Sequence, residues 1–250
     1  TLSLFLLYAI YNGLIFDALV VSDLFIVVTY LLMLFIVSLL DDIKEVHTNT
    51  KILFHFVGSF LLIYGLMVDQ FYFFENYYIN FFFLFSFIII VSNSINLIDG
   101  IDGLAPLVSV FLIISYIILN IFFLESSFVN IFLLVFLGSV SAILIYNVHP
   151  AKIFLGDSGS VLIGSIFAIF SILFNKQSGN SNLMKVLVII LAVPICDILI
   201  VMIDRFFKKN TFLNRFKSTV KSDKIHLHYL LENLGLSKFL ILSFYMLLMI

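Results

Sequence analysis

Charge is scarce in this chain of 250 residues: Asp, Glu, Lys and Arg together make up 11%, against 63% hydrophobic residues and a mean hydropathy of +1.22. A soluble domain carries about a quarter charged and about half apolar residues, so this composition excludes a chain folded around one water-excluding core. Cysteine is nearly absent. Cys196 stands alone inside an apolar run, which excludes a disulfide framework and a cysteine-based metal site. No period-2 alternation runs through the apolar stretches, so a membrane β-barrel is excluded as well. A net charge of −2 leaves overall charge silent about partners, and no nucleic-acid partner is expected. Thr1 leads directly into apolar sequence with no basic segment or cleavage site, so the chain reads as a fragment whose natural start lies upstream.

What is present is a series of apolar runs of helical length. Nine are expected: Leu2–Phe16, Leu24–Leu40, Ile52–Val68, Ile79–Leu97, Leu104–Phe123, Phe128–Tyr146, Val161–Phe174, Val186–Ile203 and Phe239–Ile250. The fold class is therefore all-α, a polytopic membrane protein of about nine spans forming a single transmembrane domain over residues 1–250. Alternate loops collect the basic residues. One side receives Lys44, Lys51, Lys152, Arg205, Lys208, Lys209, Arg215, Lys217, Lys221, Lys224 and Lys238, and the other only Lys176 and Lys185. Eleven against two is a positive-inside signal. It puts the loops at about 41–51, 98–106, 147–160 and 204–238 on the cytoplasmic face, and one site built from several of them is expected there.

Each of those loops carries groups suited to chemistry. Asn93, Asn96, Asp99 and Asp102 recur every three residues at the end of an apolar run, and on a helix they would form one slanted polar stripe. Gly100 and Gly103 follow the two aspartates, which predicts a helix break where backbone can approach a ligand. Two amides and two carboxylates in ten residues exceed what helix–helix adhesion needs. The adjacent Asp41 and Asp42 end an earlier span; one can bind a divalent cation while the other accepts a proton, or both can be solvated acids. Asp157, between Gly156 and Ser158 at the start of a span, suits a phosphate-bound metal and can also cap the helix. His226 and His228 share a face only in extended backbone, and with Lys221 and Lys224 they suit phosphate better than zinc. Asp197, following Pro194 within a span, reads as structural. Acids, a metal-capable Asp157 and a basic loop on one face point to phosphoryl-group chemistry on a lipid.

These motifs, in this order, resemble the polyprenyl-phosphate N-acetylhexosamine-1-phosphate transferases: L-D-D at 40–42, N-x-x-N-L-x-D-G-x-D-G-L at 93–104, P-A-K-I-F-L-G-D-S-G-S at 150–160, P-x-x-D at 194–197 and H-x-H at 226–228. The resemblance implies Asp157 as ligand of Mg²⁺, with Mn²⁺ as the alternative. It implies Asp41 and Asp42 in activating the lipid phosphate and positioning metal or diphosphate. Asn93, Asn96, Asp99 and Asp102 would line the nucleotide-sugar side, with Lys152 beside them and Asn147 and Phe154 at the uridine. His226, His228, Lys221 and Lys224 would meet the donor's phosphates or sugar. The implied reaction moves a sugar-1-phosphate, GlcNAc-1-phosphate foremost, from a UDP-N-acetylhexosamine to undecaprenyl phosphate, releasing UMP in cell-envelope glycan synthesis such as that of an O-antigen. A bacterial inner membrane and a homodimer go with it. A phospho-MurNAc-pentapeptide translocase is the alternative within the family, and Tyr229 stands where a third histidine is usual. A transporter, the rival of another class, would place its acids near the bilayer midplane and not at helix ends.

Overall fold

The computed structural model describes residues 21–66, 73–74, 76–207 and 226–249, and among them every regular element is helical. In chain order they are α1 (Val21–Ile43), α2 (Thr48–Gly65), α3 (Tyr77–Ile98), α4 (Leu104–Leu119), α5 (Ser127–Asn147), α6 (Gly156–Ser178), α7 (Ser181–Ile190), α8 (Ala192–Phe207), α9 (Leu227–Asn233) and α10 (Lys238–Met249). Five are long and apolar enough to cross a membrane, and a sixth span results if α7 and α8, bent by 70° at one break, count as one. The chain is a multi-pass membrane protein. The expected span Leu2–Phe16 falls outside the described residues. The expected span Val186–Ile203 is corrected to the bent pair, whose break follows Ile190. α10 has 12 residues, short of the ~20 a bilayer crossing needs. α2 opens on a polar first turn, Thr48 to Lys51, carries His55 one turn farther on, and falls below the apolarity of the other spans.

α6 is the axis of the bundle. Two-thirds (67%) of its apolar window is buried, against 11% for α5, so α6 is largely enclosed by protein while α5 lies at the edge of the bundle. α3 and α1 pack most extensively on it. The α3–α6 crossing is close because Gly164 has no side chain: a Cβ there would stand 2.6 Å from the Ser92 carbonyl oxygen and 2.7 Å from that of Val91. The hydroxyls of Tyr30, Ser59, Ser92 and Ser165 gather at the crossing of α1, α2, α3 and α6. Tyr116 Oη and Ser171 Oγ, 2.6 Å apart, tie α4 to α6. A polar pair such as Tyr116–Ser171 is the adhesion available where lipid and side chain are equally apolar.

The packing puts one set of helix ends together. The end of α1, the start of α2, the end of α3, the loop into α4, the end of α5 and the start of α6 meet through side-chain bonds described below. At the opposite face Lys176 Nζ donates to the Leu66 carbonyl at 3.4 Å, and Asn120 Nδ2 to that of Ser126 at 2.9 Å.

Candidate active site

α1 ends in two aspartates that point to different partners. Asp41 Oδ1 accepts from the Val46 amide at 2.8 Å, folding the turn into α2, and its Oδ2 pairs with Lys51. Lys51 Nζ also reaches Asp157 Oδ2 at 3.5 Å, so one ammonium serves carboxylates from α1 and α6. Asp42 turns the other way. Its two oxygens accept from the Asp157 and Ser158 amides at 2.9 and 3.0 Å, the free N–H groups of the first turn of α6. The helix is thus capped from another helix, and Asp157, expected to cap its own, is left with its carboxylate toward Lys51. Gly156 makes this geometry accessible: its φ is +70°, and a Cβ there would stand 2.8 Å from Asp42 Oδ2.

The polar stripe holds as far as the helix does. Asn93 Nδ2 donates to the Ile89 carbonyl at 2.7 Å, and Asn96 Oδ1 accepts from Ser160 Oγ at 3.0 Å. α3 stops at Ile98, and Asp99 is its C-cap. Burial, and next the negative charge of Asp157, push the Asp99 carboxyl up to about 7. Past the break the stripe ends. Asp102 departs into a separate cluster, where Oδ2 lies 2.7 Å from His149 Nδ1 and 3.0 Å from Lys238 Nζ at the start of α10. The His149 bond, joined by Lys238 and opposed by burial, holds the Asp102 carboxyl below its usual range. Expecting all four groups on one face is corrected by the break at Asp99–Gly103, which removes Asp102 from the helical period.

Asn147 closes that break. It is buried, accepts from the Gly103 amide through Oδ1 at 2.8 Å and donates to the Ile153 carbonyl through Nδ2 at 2.7 Å. Both ends of the amide are therefore engaged in tying the 98–106 and 147–160 loops together. Lys152 and Phe154 stand exposed on the second of these loops. The backbone at His226 is extended, and its ring stacks on that of His228 at 5.5 Å, as the i, i+2 spacing requires. Both imidazoles are buried, His228 completely, so neither is open to a ligand in this arrangement. Asp197 holds the first of them: Oδ2 bonds His226 Nδ1 at 3.0 Å and Oδ1 accepts from the Leu227 amide at 2.8 Å. His228 packs against Gly100, and burial pushes its imidazole down to about 4. Lys221 and Lys224 lie outside the described residues.

A cavity of about 860 Å³ opens among these ends, lined by Asp41, Lys51, Asn96 and Asp157 at its mouth and by Leu34, Val37, Ile52, Phe56 and Ile89 farther in. Lys51 carries one positive charge against Asp41 and Asp157, so the mouth has room for further positive charge. Two carboxylates are the number Mg²⁺ commonly takes from protein when substrate phosphates complete its shell. No three His, Cys, Asp or Glu side chains converge as a metal cage among the described residues, so any cation here would need non-protein ligands. Lys51, central to the cavity, was seen in the sequence only as loop charge. Its signal would have been the i, i+4 pair it forms with His55 on one face of α2. His149 and Asp197 were likewise legible as residues but not as partners.

A family model, described as glycosyl transferase family 4, matches residues 24–175. A probable undecaprenyl-phosphate N-acetylglucosaminyl 1-phosphate transferase of Bacillus subtilis (strain 168) is 35% identical over 147 residues, covering 59% of this chain and 39% of the relative. A phospho-N-acetylmuramoyl-pentapeptide-transferase of Staphylococcus aureus (strain JH9) is 42% identical over 86 residues, 34% of this chain and 26% of the relative. The matched part thus spans roughly two-fifths and one-quarter of these relatives' lengths.

Proposed function

The chain belongs to glycosyl transferase family 4, and from that premise we propose that it forms part of an enzyme moving N-acetylhexosamine-1-phosphate, GlcNAc-1-phosphate first, from a UDP-sugar to undecaprenyl phosphate. The observation that carries the reading is the Asp41–Lys51–Asp157 cluster at the mouth of a cavity whose inner wall is apolar. Charged groups for a diphosphate and an apolar wall for a polyprenyl chain meet at one boundary. An oxygen of the lipid phosphate attacks the β-phosphorus of the donor, the bond between the β-phosphorus and the bridging oxygen breaks, and UMP leaves with that oxygen.

In this reading Asp157 and Asp41 would hold Mg²⁺, or Mn²⁺ in its place. The cation would offset charge on the diphosphate and polarise its phosphoryl oxygens. Lys51 keeps the two carboxylates together and offsets the phosphate charge. Asp42 acts through Asp157 by fixing the start of α6. Asn93 and Asn96 line the cavity. Asp99, held near neutrality, is suited to taking or giving a proton at the donor side. Asp102, Asn147, Lys152 and Phe154 shape the loops facing the nucleotide. His228, backed by His226, braces the turn at Gly100 from behind, and Lys221 and Lys224 add charge for the donor's phosphates. The basic surplus on this side argues for a site facing the cytoplasm of a bacterial inner membrane.

A phospho-N-acetylmuramoyl-pentapeptide donor is the second reading, favoured by the 42% identity to the Staphylococcus aureus relative. UMP release in membranes supplied with undecaprenyl phosphate and Mg²⁺ separates the two. Release with UDP-GlcNAc alone supports the first, and release with UDP-MurNAc-pentapeptide alone the second. Release with neither overturns both.

A further inference from the structure

The cavity has a second polar level that the proposed reaction leaves unused. Three of the four helices lining it present a polar residue at the mouth and another one turn deeper: Asp41 then Ser38 on α1, Lys51 then His55 on α2, and Asn96 then Asn93 on α3, while α6 follows Asp157 with Val161. A spacing of three or four residues puts the deeper group on the same helix face, about 4.5–6 Å farther along the axis. α1 and α3 end at the mouth and α2 begins there, so Ser38, His55 and Asn93 lie at one depth.

This deeper level is incomplete. His55 is 8% exposed, lines the cavity, and its Nδ1 has no hydrogen-bond partner among the described residues. Ser38 is 6% exposed and lines the same space. Asn93 uses Nδ2 on the Ile89 carbonyl, which leaves its second amide hydrogen and Oδ1. A buried imidazole without a partner is costly unless something else supplies one. Water would satisfy it, but the walls immediately around are apolar: Leu34, Val37, Ile52, Phe56 and Ile89. The occupant that suits both the polar level and these walls has an anionic, oxygen-rich head and an apolar tail.

We propose that Ser38, His55 and Asn93 form a binding subsite that holds the head of a membrane-borne phosphate monoester from below, with Lys51 above it and the tail leaving along the apolar wall. The proposal rests on the reading of this cavity as a transferase site and adds to it the residues that distinguish a phosphorylated lipid from its alcohol. The subsite's own groups are hydrogen-bond donors without a carboxylate, so they add no repulsion to that of Asp41 and Asp157 at the mouth. Lys51 offsets one of those two charges, and a cation at the mouth would offset the other. Inorganic phosphate offers the same head without the tail, and so gains nothing from the wall.

The test is equilibrium binding of radiolabelled undecaprenyl phosphate to the purified protein in detergent, with undecaprenol and inorganic phosphate as competitors. Undecaprenyl phosphate is expected to bind at least about tenfold more tightly than undecaprenol, with millimolar inorganic phosphate competing poorly. His55→Phe is expected to weaken undecaprenyl phosphate about tenfold, leave undecaprenol unchanged and leave the KM for the UDP-sugar within about twofold. His55→Gln, which keeps an N–H donor, should stay within about threefold of the parent, and Ser38→Ala should weaken binding about threefold. If His55→Phe does not fold, Ser38→Ala decides. A folded His55→Phe or Ser38→Ala protein that keeps the full preference for phosphate over alcohol overturns the subsite while the transferase reading stands. Competition by inorganic phosphate at the lipid's own concentration overturns the lipid assignment. A parent protein that does not distinguish phosphate from alcohol overturns the cavity's role as acceptor site, and the subsite with it.

Discussion

Replacing Asp42 separates two roles that adjacent aspartates invite one to merge. In the structure its carboxylate accepts from the Asp157 and Ser158 amides at 2.9 and 3.0 Å, and this is its only described engagement. Asp42→Ala removes both acceptors from the first turn of α6. Loss of an N-cap side chain costs about 0.5–2 kcal/mol, and loss of a negative charge at a helix N-terminus about 0.3–1 kcal/mol at an exposed site. Water can reach these amides and recovers part of that, so roughly 1–2 kcal/mol is expected. Asp42→Asn keeps one acceptor oxygen and should lose about half as much. Thermal unfolding of the detergent-solubilised protein measures the stability, and UMP release measures the activity. If Asp42 acts by holding Asp157, Asn should rescue stability and activity together, and the residual defect of Asn should appear in the apparent affinity for Mg²⁺. Equal inactivity of Ala and Asn at unchanged stability would refute the capping argument and put the carboxylate in direct contact with metal or phosphate.

Three further outcomes follow from the geometry. Asp197→Ala strips a buried partner from His226 and an acceptor from the Leu227 amide, and should cost about 3 kcal/mol; Asp197→Asn should cost less, by thermal unfolding. Asp99 has a folded-state carboxyl raised from 3.8 to about 7, so the folded protein binds the extra proton. The contribution of Asp99 to stability should therefore be fully present below about pH 4 and be lost as pH rises toward 7, by at most about 4 kcal/mol for about three units at about 1.4 kcal/mol each. Denaturation in EDTA should show that slope flattened in Asp99→Asn. Gly164→Val forces α3 from α6, since even a Cβ would sit 2.6 Å from the Ser92 carbonyl oxygen, and should leave too little folded protein to purify.

Much of the fold was legible because spacing and apolarity are local. Apolar runs marked the long helices, and Gly100 and Gly103 marked the break between α3 and α4. The clustering of site loops on one face followed from alternating the spans and counting lysines. Partners were not legible, because they depend on which helix crosses which. Asp41 and Asp42 are neighbours in sequence, yet one faces Lys51 and the other the start of α6. Asn147 looked like a ligand group; the fold spends both ends of its amide on loops 44 residues apart and 6 residues on. Asp102 kept the period of three only on paper, because the helix that would carry it ends at Ile98. Lys51 counted only as loop charge just before the run Ile52–Val68, and His55 lay inside that run with no partner visible in sequence.

The most direct test of the account follows one phosphorus atom. UDP-GlcNAc labelled with ³²P at the β-phosphate is incubated with undecaprenyl phosphate, Mg²⁺ and the protein in membranes, beside Asp157→Ala. Transfer of a sugar-1-phosphate predicts that the label enters the lipid fraction, that unlabelled UMP appears in equal amount, and that Asp157→Ala abolishes both. Label retained in water-soluble UDP while sugar enters the lipid would contradict it, since that result describes transfer of a sugar without its phosphate.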